Sequence, residues 1–245
     1  MPILDSILVF TVFSAVSALP ADDAVRCVTL YQGHVNLEVP ADWEEIPSED
    51  LESFSLQLAE ASGGRVAEVY QHGFFPDSRI VISTLPLILV QIRESGRLPY
   101  GQFLHLPPLE ELQRSGSRHI IDRMGPVLSG LDIQKVWYDR RNHTLHLANR
   151  LVLKTEGKVS VSSVSFLTER GLFTLHCYAH APQATAVAPI FNRVIESVRF
   201  DDELRYKQRC VDRWPPRPST VAYTAAALIA IILVLRLIRS RRRRS

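Results

Sequence analysis

The chain has 245 residues, 46% hydrophobic and 22% charged, with a formal net charge of +2. That composition is globular and allows one sizeable domain plus additional segments. The last ten residues carry six arginines and no acid; without them 22 basic residues face 26 acidic ones, a net of −4. A body of that charge argues against a nucleic-acid partner, because such domains spread basic charge over a folded face.

Near the N-terminus, ILVFTVFSAVSA (7–18) is apolar and too short to cross a bilayer comfortably. Val16-Ser17-Ala18 satisfies the small-residue cleavage rule and the polar LPADDA follows, so residues 1–18 read as a secretory signal peptide. MPILDS contains no Lys or Arg, which leaves an uncleaved anchor or a buried first element as alternatives.

The domain is expected over 19–211. RCVTLYQG and HVNLEVP read as two strands, with Val35, Leu37 and Val39 on one face and Gly33 in the turn. Ser48 is placed to cap a helix carrying Leu51, Phe54, Leu58 and Ala61 at helical spacing, and Gly63-Gly64 stops it. RVAEVYQHGFF reads as a strand. RIVISTLPLILVQIR is apolar on both faces, as in a strand between two layers, and Pro86 predicts an edge position or a break. Pro107 and Pro108 open a helix through about Met124.

A meander comes next. LDIQKVWYD turns at RRN into HTLHLANRLVLK, followed by GKVSVSSVSFLTE, whose apolar phase shifts from Val159 and Val161 to Val164 and Phe166. The shift predicts a bulge at Ser162-Ser163. Gly171 opens the strand LFTLHCYA. A last helix carries Ile190, Phe191, Val194, Ile195 and Val198, with Pro189 in its first turn. Antiparallel strands with flanking helices predict an α+β fold, a central antiparallel sheet in an α/β/α sandwich.

Two stretches carry a family resemblance. VPADWEEI holds a Pro-x-x-Trp turn, and ERGLFTLHCYAHAPQATAVAPIFNRVIESVRF closes a strand and an amphipathic helix on Ser-Val-Arg-Phe. With Pro40, Trp43, Gly171, Ser197 and Phe200 as its specific positions, the chain over roughly 26–205 resembles the PsbP-like family of α/β/α domains. The resemblance implies a binding or assembly role without known catalysis, and carries over no metal or cofactor. The photosynthetic members lack a C-terminal span, which this chain is read to have.

DRWPPRP (212–218) is a stiff Pro-rich stalk. Residues 219–238 are apolar up to Arg236, long enough for one transmembrane helix. Arg236 can snorkel, and Arg239, Arg241, Arg242, Arg243 and Arg244 mark the cytoplasmic side, the last five lying in the 239–245 tail. The expected topology is therefore a single pass, with the domain outside the cytoplasm, in a bacterial inner membrane. The implied partners are the lipid bilayer and a protein at its surface. A cytosolic tail-anchored protein is the reading to fall back on if the N-terminus belongs to the fold.

Cys177 lies on an apolar strand face with Phe173, Leu175 and Ala179, and reads as a small core residue. Cys27 and Cys210 bracket the domain and are the candidate disulfide in an oxidising compartment; two free thiols are the alternative. Of the eight histidines, His176 and His180 share a strand face but stand about 13 Å apart, too far for one metal ion unaided. No catalytic set, phosphate loop or dinucleotide fingerprint is present. The expected function is non-enzymatic; the alternative is an enzyme with a site assembled around His176, Tyr178 and His180.

Overall fold

The computed structural model describes residues 24–61, 69–76, 85–114, 128–154 and 157–213. The expected signal peptide, the span at 219–238, the arginine tail and most of the stalk lie outside these residues. Among the described residues no helix is long and apolar enough to cross a membrane.

Among the described residues ten strands run in chain order: β1 (Val25–Leu30), β2 (Val35–Pro40), β3 (Trp43–Glu45), β4 (His72–Pro76), β5 (Leu87–Arg93), β6 (Leu128–Asp139), β7 (Thr144–Leu153), β8 (Gly157–Leu167), β9 (Leu172–His180) and β10 (Arg199–Phe200). Helix α1 spans Ser48–Ala61 and α2 spans Ala184–Ser197. A further helical turn begins at Leu109 behind Pro107-Pro108. The seven-stranded sheet has the order β3-β4-β5-β9-β8-β7-β6, and the three-stranded sheet β1-β2-β10; every pairing is antiparallel.

Strand alternation sends the two faces of the large sheet into different layers. Ile88, Val90, Phe173, Leu175 and Cys177 pack on Val35 and Leu37 of the small sheet and on Val187, Phe191 and Val194 of α2. Leu87, Leu89, Val159, Val161 and Leu151 face the other way, against Leu51 and Phe54 of α1, with Leu112 alongside. The domain is mostly sheet with few helices. One outer layer of the expected sandwich is a small sheet plus a helix rather than helices alone, because the β1–β2 hairpin has its own apolar face to bury.

The positions that carry the family resemblance tie these layers together. Trp43 is buried edge-on to Phe191 at 6.4 Å, and its carbonyl accepts from the Arg26 guanidinium. Ser197 Oγ accepts the Glu38 N–H at 2.8 Å and donates to the Val194 carbonyl. Phe200 meets Phe173 and Phe166, each at 5.6 Å. Gly171 has φ +148, and a Cβ there would stand 1.9 Å from the Arg93 carbonyl oxygen.

Three local expectations are corrected. Of the two alternatives at Pro86 the edge position is overturned, since β5 is interior, between β4 and β9, whereas the break stands, β5 beginning at Leu87 directly after Pro86. Pro189 is inside α2, which begins five residues earlier at Ala184; Pro189 and Thr185, the residue whose carbonyl loses its i+4 donor, are both exposed, so water serves that carbonyl. No bulge occurs at Ser162-Ser163: β8 keeps unbroken register with β7 and β9 on both sides. The irregularities lie in β6, at Leu128/Gly130 and Ile133/Lys135.

Candidate functional site: a polar cleft on the central sheet

Unbroken register puts Val159, Val161, Ser163, Ser165 and Leu167 on one face of β8. The same face of β9 carries Leu172, Thr174, His176 and Tyr178, and that of β5 carries Leu87, Leu89, Gln91 and Arg93. Apolar residues thus occupy both ends of this face on β8, Arg93 closes it on β5, and a polar band crosses its middle. Gln91, Ser163, Ser165, Thr174 and His176 are all buried. Together with Leu145, Leu147, Leu172 and Arg93 they line a narrow, shallow cleft.

His176 is the deepest polar group, 1% exposed. Its Nδ1 lies 2.8 Å from Ser163 Oγ, the residue paired with it across the strands. The Tyr70 ring stands edge-on at 5.9 Å and the Tyr178 ring at 6.3 Å. Nε2 has no hydrogen-bond partner among the described residues. Burial, and then the nearby Arg93 charge, push the imidazole down to about 3, so it is neutral at physiological pH. Thr174 donates to Ser165 Oγ at 2.9 Å. One row away on β7, Asn149 is 1% exposed, and neither amide atom has a partner among the described residues.

This arrangement does not fit nucleophilic catalysis. A serine needs a base able to take its proton near neutral pH and a third group to orient that base. His176 is far too weak a base, and no described carboxylate holds its second nitrogen. The sequence places His176, Tyr178 and His180 on one face, and they do share it; the cleft, however, is built by His176 with Ser163, Ser165, Thr174 and Gln91, while Tyr178 and His180 do not line it. Cys177 points to the opposite face, into the core, where burial pushes its thiol up. Among the described residues no group of three metal-ligating side chains converges.

A second polar cluster lies at the C-terminal end of the domain. Arg97 donates to Glu169 Oε1 at 2.9 Å and to both carboxylate oxygens of Asp212, at 2.6 Å for Oδ1. Asp212 also accepts the Arg209 N–H at 2.7 Å and the Tyr206 hydroxyl at 3.3 Å. The Arg97 guanidinium lies 4.5 Å from the Tyr206 ring centroid. These contacts clasp residues 201–213 to the body. Asp212, read from the sequence as the head of the stalk, is buried in the 3-10 turn Cys210–Arg213.

Cys27 and Cys210, the expected disulfide partners, are both free and exposed. Cys27 sits on the solvent side of β1, in the small-sheet layer. Cys210 sits beside the clasp, whose Tyr206 packs on Tyr100 and Leu172 across the large sheet.

No family model matches the chain, and no curated protein does. Solved structures do. Cyanobacterial PsbP (CyanoP) from Synechocystis superposes with a TM-score of 0.49 at 10% identity, over 72% of this chain and 92% of that one. LpqN, involved in cell envelope biogenesis of Mycobacterium tuberculosis, gives 0.36 at 11% identity, over 71% and 89%. A protein of unknown function from Pseudomonas aeruginosa gives 0.31 at 9% identity, over 71% and 94%. A PsbP is thus among the solved structures to which the chain is similar.

Proposed function

We propose that this chain is a single-pass membrane protein whose PsbP-like domain sits outside the cytoplasm and binds, or helps assemble, a protein partner at the surface of a bacterial inner membrane. In this reading residues 1–18 direct export, 219–238 span the bilayer, and Arg236, Arg239 and Arg241 to Arg244 hold the cytoplasmic end.

The non-catalytic part of the proposal rests on one observation. The Ser163–His176 pair is the best-placed candidate for covalent chemistry, and the burial that joins the two groups strips the histidine of its basicity. The clasp supports the membrane-proximal part. The clasp reaches Asp212, and five residues, 214–218, separate Arg213 from Ser219 in the sequence. At about 3.1 Å per residue a Pro-rich connector of that length reaches roughly 15 Å, so the domain would ride close to the headgroups.

Reporter fusions after Arg213 and after Ser245 test the topology: an exported reporter at the first site and a cytoplasmic one at the second are expected, and a cytoplasmic reporter at both refutes it. Crosslinking in native membranes is expected to trap an envelope protein on the domain. A fluorophosphonate probe is expected to leave Ser163 unlabelled; stoichiometric labelling there would transfer the case to the enzyme alternative.

A further inference from the structure

We infer that the turn between β6 and β7, through Arg140 and Arg141 together with Lys207 of the neighbouring clasp, docks the domain onto the anionic lipid headgroups around its own span. This rests on the reading of 219–238 as a span and deepens it: the folded domain, and not only the arginine tail, touches the bilayer.

The turn and the clasp are joined. The His143 ring lies 4.8 Å from the Tyr206 ring and 5.7 Å from that of Tyr100. Its Nδ1 stands 2.9 Å from the Tyr138 hydroxyl, and its carbonyl accepts the Leu167 N–H. Tyr206 in turn donates to Asp212. Five residues, 214–218, separate Arg213 from the expected span, so a span that holds Asp212 near the bilayer holds the turn near it too. The turn is also fixed in shape, because the Asp139 carboxylate accepts the N–H groups of Arg141 and Asn142 and the Asn142 side-chain amide.

Charge then selects the partner. Asp139 is engaged within the turn, Glu169 by Arg97 and Arg209, and Asp212 by Arg97. Asp201, Asp202 and Glu203, earlier in the clasp, meet His34, Arg205 and Arg170. Arg140, Arg141 and Lys207 are exposed and have no ion-pair partner among the described residues. The chain without its tail is net acidic, so these three cations are a local surplus. Guanidinium forks match phosphate oxygens, and a hairpin tip projects rather than encloses, which fits a flat array of headgroups. Each cation favours a domain docked on an anionic surface by about fivefold. The tether keeps the headgroups at high local concentration, so three such contacts suffice without a pocket.

The test uses the full-length chain in lipid nanodiscs of phosphatidylcholine, alone or with about a third phosphatidylglycerol, each doped with a gadolinium-chelating lipid. Paramagnetic relaxation of backbone amides then reads their distance from the headgroups. At residues 140–143 it is expected to be at least about threefold faster in the phosphatidylglycerol discs. Leu153, about 30 Å away at the other end of β7, is expected to show no such difference. The Arg140→Ser/Arg141→Ser double variant should abolish the difference, and so should about 0.5 M NaCl. Lys158→Ser, an exposed cation beyond that far end, should leave it intact. Equal relaxation in both discs, a difference that survives the double variant, or its loss when phosphate replaces chloride at constant ionic strength would each overturn the inference, the last by assigning the turn to a free anion. Amide exchange of residues 219–238 reads the span separately: a protected span with no lipid dependence at the turn overturns the docking alone, and an unprotected span overturns the single-pass reading with it.

Discussion

Asp212→Asn removes one charge from the clasp while nearly preserving its shape, and its cost follows from the contacts. The carboxylate takes both Arg97 donors, the Arg209 amide and the Tyr206 hydroxyl. The Arg97 bond above all holds the carboxyl at about 2, against an ordinary 3.8. At about 1.36 kcal/mol per decade that is about 2.4 kcal/mol. Arg97 is 15% exposed, so water screens part of it, which leaves about 1–2 kcal/mol for the charge. The amide also leaves the partly buried guanidinium short of an acceptor, which brings the expected loss to about 2–3 kcal/mol. The contacts confine that loss to opening of residues 201–213, so hydrogen exchange of the amides there should speed up roughly 30- to 160-fold at pH 7 in the full-length chain. A lowered carboxylate contributes its stabilisation above the unfolded value, so the effect should be complete above about pH 4 and fade as pH falls toward 2. In a double-mutant cycle with Arg97→Met the two changes should couple by about 1–2 kcal/mol. Exchange within twofold of the parent, or strict additivity with Arg97→Met, would refute the clasp.

Gly171→Ala should cost at least about 3 kcal/mol in urea unfolding, since φ is +148 and the new Cβ meets the Arg93 carbonyl oxygen at 1.9 Å; a loss under about 1 kcal/mol would show that the β9 entry can relax. His176 is held near 3 when folded and titrates near 6.5 when unfolded. The unfolded chain therefore binds the proton first, and stability should fall with pH between about 6.5 and 3 at up to about 1.4 kcal/mol per pH unit. His176→Gln should flatten that slope, and an unchanged slope would contradict the buried neutral histidine. With a thiol reagent, the native chain should titrate two cysteines, Cys27 and Cys210, and the denatured chain a third, Cys177; no thiol in the native chain, one after denaturation and three only after reduction would show the Cys27–Cys210 bond.

What was legible in the sequence was local. The β1–β2 hairpin, β9 and the apolar face of α2 follow from periods of 2 and 3.6 that neighbouring residues carry by themselves. Contacts between distant segments left no such trace: Arg97 and Asp212 are 115 positions apart, and each looks like an ordinary surface charge. The interior position of β5 was hidden by Pro86, which stands directly before Leu87, where the ladder begins, and so forces no edge position.

The site lies between these cases. Val159, Val161, Ser163 and Ser165 form an unbroken period of two in which the chemistry of the face changes and the register does not. Read for phase alone, the apolar residues seem to jump sides and a bulge follows. Read for polarity, the same letters describe a strand crossing from core into cleft. Strand parity also put His176 on the correct face, but its depth depends on Tyr70 and on the strands at either side, which no single segment encodes. That depth settles the chemistry. Ser163 and His176 meet because both are buried, and the same desolvation makes the imidazole too weak a base to use the serine. Proximity and competence thus oppose each other in this cleft.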